Sequence, residues 1–433
     1  MTDRDENMLR IFSFLLLLPA ILCAQDVLTF REAVQLALEH NHQIQAARNT
    51  AEIAHNQVNI GNADLLPRVS LVSSVSYLDS EAPGNVTTEN TTTSANAQLS
   101  YTLFDGFGNI YRFKRLQSAG QAGDLQARMQ IENMLYQVSS AYYNYALAFE
   151  NDKISRDLVQ ISRQRLDRAK NKAKFGQANT IEILSAQVDF NADSVDALRS
   201  ELELNQARRN LNLLLNREIK NPMQVETEVA FLPEKEYNEL YQSALSKNAS
   251  YLLEVNRLQQ EYYGLKIARS ASLPSVDLTG SYGYSQVGNG RNVLLDDPVK
   301  TLRAGVTVSF NLFNGFQTRI DRQNAVLYYR NQELYKDEAL LTLQTDIADA
   351  YESFSNSRKV LELEQSSLEA ADLNFTRTQE LFNLGQVTTT QFREAQLNLF
   401  KARYGISSAK YSAKLNEINL LRISGNLVGN EQL

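Results

Sequence analysis

The chain has 433 residues, 43% of them hydrophobic, with 18 glycines, 7 prolines and one cysteine. That is enough apolar side chain for a packed structure, and so little Gly and Pro suits long uninterrupted helices. A formal charge of -7 argues against a polyanion-binding surface, and nucleic acid is not expected as a partner.

The N-terminus reads as an export signal. Arg10 precedes an apolar run at residues 11–22, long enough for a signal-peptide core and short of the roughly 18 to 20 residues of a spanning helix. Cleavage after Ala24 would make residues 1–24 the signal peptide and remove Cys23, the only cysteine. A lipid anchor on Cys23 is the competing reading, against which stands the bulk of Leu22. With the leader gone, no disulfide, thiol nucleophile or thiolate metal site is expected. Nothing downstream resembles a spanning helix, so membrane contact falls to strands or to a surface.

A repeat organises the rest. Tyr101-Thr-Leu-Phe-Asp-Gly-Phe107 returns 209 positions later as Phe310-Asn-Leu-Phe-Asn-Gly-Phe316. At the same offset Ala141-Tyr142, Gly176-Gln177 and Ala186-Gln187 return as Ala350-Tyr351, Gly385-Gln386 and Ala395-Gln396. Upstream the offset is 207, matching Leu66-Pro67 to Leu273-Pro274 and Asn41 to Asn248; the change falls in loops, which tolerate insertion. The expected divisions are a first repeat at 25–216, a linker at 217–236 carrying Pro222 and Pro233, a second repeat at 237–425 and a tail at 426–433.

Each repeat should open with an amphipathic helix, at about residues 41–65 in the first, stopped by Pro67 or Pro274. Two alternating segments follow. Val69, Leu71, Val75 and Tyr77 oppose Ser70, Ser74 and Ser76, and Ala95, Ala97, Leu99, Tyr101 and Leu103 oppose Asn96, Gln98, Ser100 and Thr102. The second repeat answers with Val276, Leu278, Tyr282 and Tyr284, then Ala304, Val306, Val308, Phe310 and Leu312. Period-two alternation over about ten residues marks a half-buried strand, and equally a barrel strand with one face in lipid. Loops are expected at 81–94 and 286–300, with the Asn-x-Thr triplets at Asn85 and Asn90 read as loop composition.

Between Gly315 and Gly385 there is neither Gly nor Pro, which permits one helix of about 65 to 70 residues, about 100 Å long. Leu340, Ile347, Phe354, Leu361, Leu368, Phe375 and Phe382 lie seven apart; Ile131, Val138, Tyr145, Val159, Leu166 and Ala173 hold the corresponding places, interrupted at Asp152. Strict heptads mark a helix kept against a partner by supercoiling, and a soluble coiled coil would show them too. Gly176 and Gly385 should each end a long helix at a tight turn, after which a helix of about 37 residues, 180–216 in the first repeat, returns. Added to the helix at 41–65 it comes to about 62 residues, so two shorter helices stacked end to end would match one long helix in height. Four strands per chain leave a sheet with two edges; in lipid the unpaired backbone groups would cost several kcal/mol each, so closure needs several chains.

The Leu-Pro steps into the strands, the Leu-Phe-Asp/Asn-Gly-Phe turns, and the hairpins Gly176-Gln-Ala-Asn-Thr-Ile-Glu-Ile-Leu-Ser-Ala-Gln187 and Gly385-Gln-Val-Thr-Thr-Thr-Gln-Phe-Arg-Glu-Ala-Gln396 resemble the TolC outer-membrane efflux family in order and spacing across residues 28–425. The resemblance implies a mainly α fold with a membrane β-barrel: a homotrimer with twelve strands, four per chain, in outer-membrane lipid, and an α-barrel in the periplasm. It implies a passive exit duct for tripartite efflux or type I secretion, driven by an inner-membrane pump through a periplasmic adaptor. The adaptor would dock at the hairpin tips, here Gly176, Gln177, Gly385 and Gln386.

A periplasmic gate is also implied, with acidic rings six and nine residues after the second hairpin glycine. Those positions are Gln391 and Glu394, of which only Glu394 is charged. Glu182, six after Gly176, stands where the family prototype has a carboxylate tied to its neighbours. The prototype's locking arginine and tyrosine correspond to Val387 and Phe382, so closure is expected to rely more on packing, with three Glu394 carboxylates favouring cations. The plainer alternatives are helix capping for the glycines and a solvated carboxylate for Glu394.

No catalytic constellation, cofactor or metal site is expected. His40, His42 and His55 are the only histidines, and His40 and His42 do not share a helical face. Gly106-Phe-Gly108 reads as a turn before a helix. The rival to a channel is a non-conducting periplasmic coiled-coil adaptor or structural protein, which would usually carry one hairpin.

Overall fold

The computed structural model describes residues 27–84, 86–175, 180–289 and 297–428. The expected signal peptide, Cys23, Asn85, Gly176 and Gln177 lie outside these.

A short β1 (Val27–Leu28) leads into α1 (Phe30–His40) and α2 (His42–Asn56), strands β2 (Arg68–Ala82) and β3 (Val86–Phe104), the long helix α3 (Gly108–Lys174) and the returning α4 (Thr180–Leu214). Past β4 (Gln224–Val225) the same order recurs as α5 (Tyr237–Lys247), α6 (Ala249–Ser270), β5 (Ser275–Asn289), β6 (Val299–Ser309), α7 (Gln317–Asn383) and α8 (Thr389–Ile423). Both long helices have 67 residues and both returning helices 35, about 100 Å and 50 Å at 1.5 Å per residue.

The half-length helices meet end to end. Asn41, at the head of α2, donates its Nδ2 to the Leu214 carbonyl at the foot of α4 (2.8 Å), and Asn248, at the head of α6, does the same to Ile423 of α8 (2.9 Å). Along α3, α2 covers the first half, with Gly123 so close to Ala54 that a Cβ would lie 2.5 Å from that methyl. On the far half α4 takes over, through the polar contacts described below.

The expected helix at 41–65 stops early, at Asn56. Beyond it Asn59 Oδ1 accepts from the Asn62 amide (2.8 Å) and Asn62 Nδ2 donates to the Gln57 carbonyl (3.1 Å). Such local side-chain bonds offer the backbone an alternative to the helix, and Asp64, with a φ of 55°, completes the turn. In the second repeat α6 runs on to Ser270, just ahead of Pro274.

The sheet order is β2-β3-β5-β6, antiparallel throughout. Its first hairpin is longer than expected: pairing continues to Ala82↔Val86, so most of the loop assigned to 81–94 is strand. Thr87, Thr88 and Thr91 to Thr93 are β-branched and favour that conformation. Likewise β5 reaches Asn289 and β6 begins at Val299, which shortens the expected loop at 286–300 at both ends.

Register sorts the strands into two faces. Val69↔Leu99, Leu71↔Ala97, Tyr101↔Leu278, Leu278↔Val306 and Tyr282↔Leu302 share one; Arg68↔Ser100, Ser70↔Gln98, Thr102↔Asp277 and Ser281↔Arg303 share the other. The apolar face is bare within the chain, with Leu71 79% and Leu302 76% exposed. Strand leads into long helix through Gly106-Phe107 and Gly315-Phe316, all four residues left-handed at φ 66 to 70°. That conformation is uncommon for Phe. Each phenylalanine packs edge to face on the one three residues earlier, Phe104 and Phe313, at 5.1 and 5.3 Å.

The main core lies at mid-height of the helices, where Val138, Tyr142, Tyr145, Leu211, Tyr411 and Ile418 are buried together. Here the inter-repeat segment crosses α3 and α8 like a belt. Tyr145 Oη donates to the Met223 carbonyl (2.6 Å), Lys410 Nζ to Thr227 O (3.0 Å) and Lys414 Nζ to Ala230 O (2.8 Å), while Glu417 Oε1 accepts from Leu232 N (2.8 Å). All seven heptad residues of α7 are buried or half-buried. Asp152, the interruption in α3, is buried and accepts from Arg156 Nε at 2.7 Å. Among the described residues no helix is long and apolar enough to cross a membrane.

Candidate functional site: the hairpin ends of the helices

The end of α7 is set by backbone geometry. Gly385, at φ 76°, donates its N–H to the Phe382 carbonyl (3.2 Å), and Gln386 donates to that of Leu381 (2.8 Å), the paired closing bonds of a left-handed helix cap. A Cβ at 385 would meet nothing within 4 Å, so the left-handed backbone, not a close approach, is what calls for glycine. Gln386 is exposed at the tip.

Thr388 and Gln391 then start α8 as a capping box: Gln391 N donates to Thr388 Oγ1 (3.2 Å) and Thr388 N to Gln391 Oε1 (2.9 Å). The side chain at the first expected gate position is thus engaged in its own helix start. Glu394, one turn on, is exposed and has no ion pair among the described residues. Inside the hairpin Phe382 stacks on Phe392 with centroids 4.4 Å apart, Phe375 adds a second ring at 5.7 Å, and Val387 packs against them. Phe382 and Val387 therefore form an apolar plug between α7 and α8.

Two arginines tie this hairpin to the first repeat. Arg168, on α3, donates Nη1 to Asn383 Oδ1 (2.7 Å) and Nη2 to the carbonyls of Asn383 (3.2 Å) and Phe382 (3.3 Å). Its guanidinium carbon lies 4.8 Å from the Phe382 ring centroid. A cation at the C-terminal carbonyls of a helix is favourably placed. Arg393, on α8, grips Asp193 of α4 with two bonds, Nη2 to Oδ1 (2.7 Å) and Nη1 to Oδ2 (2.8 Å), and its Nε is 3.9 Å from Asp189. Asp193 also accepts from Ser162 Oγ, and Asp189 from Arg165.

Asp193 is 3% exposed, so this is a largely dry junction of two aspartates and two arginines joining α3, α4 and α8. Two-pronged arginine–carboxylate pairing fixes direction as well as distance. Glu182, half-buried, lines a narrow cleft with Arg165, Arg168 and Phe382, which sets it beside the second hairpin. Glu394 stays apart from that cleft. Gly176 and Gln177, the expected first tip, lie outside the described residues.

Sequence reasoning missed Arg168, Arg393, Asp189 and Asp193. Their spacing along the chain carries no signal, because each pair is made across helices.

Comparison with known proteins agrees with this geometry. The family profile described as "Outer membrane efflux protein" matches residues 33–217 and 240–426. Among relatives, the "Probable outer membrane lipoprotein SilC" of Salmonella typhimurium is 22% identical over 90% of this chain and 84% of its own. The "Outer membrane protein TolC" of Vibrio cholerae is 21% identical over 92% of this chain and 90% of its own. Among solved structures, the Campylobacter jejuni CmeC outer membrane channel superposes with a TM-score of 0.79 at 19% identity, covering 92% of this chain and 86% of that one. CusC superposes at 0.77 with 20% identity, covering 92% of each. The chain belongs to the outer membrane efflux protein family and is an outer-membrane channel protein of the efflux or secretion type, its helices extending into the periplasm.

Proposed function

We propose that three copies of this chain close into one tube, a passive exit duct whose lipid-embedded part is a twelve-stranded barrel. The observation that carries this reading is the four-stranded sheet with a bare apolar face and two unpaired edges, β2 and β6. In lipid, β6 of one copy must pair with β2 of the next. The helices carry matching evidence. On α4, Ile181, Val188, Val195 and Leu202 are exposed at heptad spacing, and on α7, Leu327, Leu334 and Leu341 are too. Two exposed heptad rows on one chain suit a head-to-tail contact between copies that closes as a ring.

The duct would be driven by an inner-membrane pump through a periplasmic adaptor, docked at tips that include Gly176, Gln177, Gly385 and Gln386. Curated relatives carry names for both kinds of traffic, the "Cation efflux system protein CusC" and the "Alkaline protease secretion protein AprF". At the periplasmic end the gate would be held by the Phe382–Phe392 stack and the Arg393–Asp193 clasp, with Glu394 on the face of α8 turned from the clasp and Glu182 and Gln391 flanking it.

Cysteine crosslinking tests the closure, since Cys23 is the chain's only cysteine. Ser70→Cys combined in turn with cysteine at Thr301, Arg303, Gly305 and Thr307 should give covalent trimers for at least one pair. A panel that yields only uncrosslinked chains would contradict the ring.

A further inference from the structure

We propose that the end of the apolar run of β6 farthest from the helices binds a phosphate-bearing lipid of the outer leaflet through Lys300 and the tyrosines beside it. The proposal rests on the barrel reading above and adds to it a specific lipid contact.

Strand β6 places Val308, Val306, Ala304 and Leu302 on the apolar face, paired with Val276, Leu278, Gly280 and Tyr282. With Phe310 they form a row about 26 Å long at roughly 3.3 Å per residue, close to the height of the apolar band of an outer-membrane barrel. Lys300 is the next residue on the same face, so it closes the apolar run of β6, while on β2 Val75 and Tyr77 carry the apolar face two and four residues beyond its rung. Because α6 leads into β5 at Ser275 and β6 leaves toward α7 at Ser309, this edge is the one remote from the periplasmic helices.

Lys300 has an acidic neighbour in sequence, the exposed Asp297 three residues earlier and outside the strand, but is not paired with it. Its cross-strand partner is Tyr284, and its Nζ lies 5.7 Å from that ring's centroid. Tyr282 lies beside Tyr284, centroids 6.5 Å apart. Among the described residues Lys300 makes no ion pair, and neither tyrosine hydroxyl has a protein partner. It is also the only cation on the apolar face of the described strands, since Arg68 and Arg303 sit on the polar face.

Acidic residues on its own face, Asp79 and Glu89, pair with each other farther up the hairpin. They lie about 20 Å along the strand from the level of Ser73 and Ala95, which is the rung that leads to Tyr284. They are too distant to neutralise Lys300. A lysine at a hydrocarbon edge lays its stem on apolar surface and extends its ammonium to the headgroups. There it meets phosphate, with two phenolic hydroxyls free to donate. A lipid uses both the apolar row and the cation, whereas free phosphate finds a single lysine, so a lipid is the occupant that fits.

The test is native mass spectrometry of detergent-purified protein titrated with diphosphoryl lipid A and with the same lipid dephosphorylated. Wild type should retain the phosphorylated form about fivefold better, the factor one lysine is worth at an anionic leaflet. Lys300→Met should erase that preference and Lys300→Arg should keep it. Equal retention of the two lipids by wild type, or an unchanged preference in Lys300→Met, overturns the proposal. Failure of the lipid site appears as trimers without the preference; monomers throughout would overturn the barrel reading and this proposal together.

Discussion

Asn41 donates Nδ2 to the Leu214 carbonyl at 2.8 Å while its Oδ1 accepts from the amides of Gln43 (2.9 Å) and Ile44 (3.2 Å). One side chain therefore starts α2 and finishes α4. Asn248 repeats the arrangement, accepting from Tyr251 N (3.0 Å) and donating to Ile423 O (2.9 Å). Only a carboxamide can do both. Asn41→Asp keeps the cap acceptor but sets a carboxylate against a carbonyl oxygen, and should cost about 2 kcal/mol of stability. The less buried Asn248→Asp should cost less. Thermal unfolding in detergent checks both, and an unchanged Tm for Asn41→Asp would show that the end-to-end junction does not depend on this bond.

Removing Arg393 leaves Asp193 without its two-pronged partner in a site from which water is largely excluded. Arg393→Ala should destabilise by about 3 to 5 kcal/mol, the usual penalty for orphaning a buried charge. Asp193→Ala in the same chain should recover part of that loss. Additive effects in the double-mutant cycle would mean that the clasp contributes no coupling.

Glu394 differs in kind, being exposed and without an ion pair among the described residues where Gln391 is committed to its capping box. Glu394→Ala should leave unfolding within about 0.5 kcal/mol of wild type and should lower cation over anion permeability in single-channel recording. An unchanged permeability ratio would remove the charged-ring reading of this residue.

At alkaline pH the mid-height core should fail first. Burial pushes the hydroxyls of Tyr142, Tyr143 and Tyr411 well above the usual tyrosine value of 10.0. Unfolded, these groups lose their protons near pH 10; folded, they hold them. The unfolded state then binds fewer protons, so stability falls as pH rises above 10. Absorbance titration should show a set of tyrosines that ionise only as the helical circular dichroism signal is lost. Full phenolate absorbance with intact helices would contradict this.

Local features were legible in the sequence because their causes are local. Freedom from Gly and Pro between Gly315 and Gly385 set the length of α7, and the heptad row from Leu340 to Phe382 identified its inward face. The alternation around Leu99 and Leu278 gave the sheet its two faces. Where competing local bonds decided the outcome, pattern alone failed: the Asn59 and Asn62 side chains end α2 early, and the Thr run at 91–93 extends β3 through an expected loop. The clasp was invisible because Arg393 and Asp193 are 200 residues apart. Nothing in heptad spacing shows that a charged residue on one helix will meet its opposite on another.

Conductance of the purified protein in planar bilayers decides whether three chains enclose an open passage. Discrete steps should appear from detergent-solubilised trimers, and Arg393→Ala combined with Arg168→Ala should enlarge them or lengthen the open time by loosening the hairpin ends. A protein that stays soluble and monomeric without detergent and never conducts would rule out the pore.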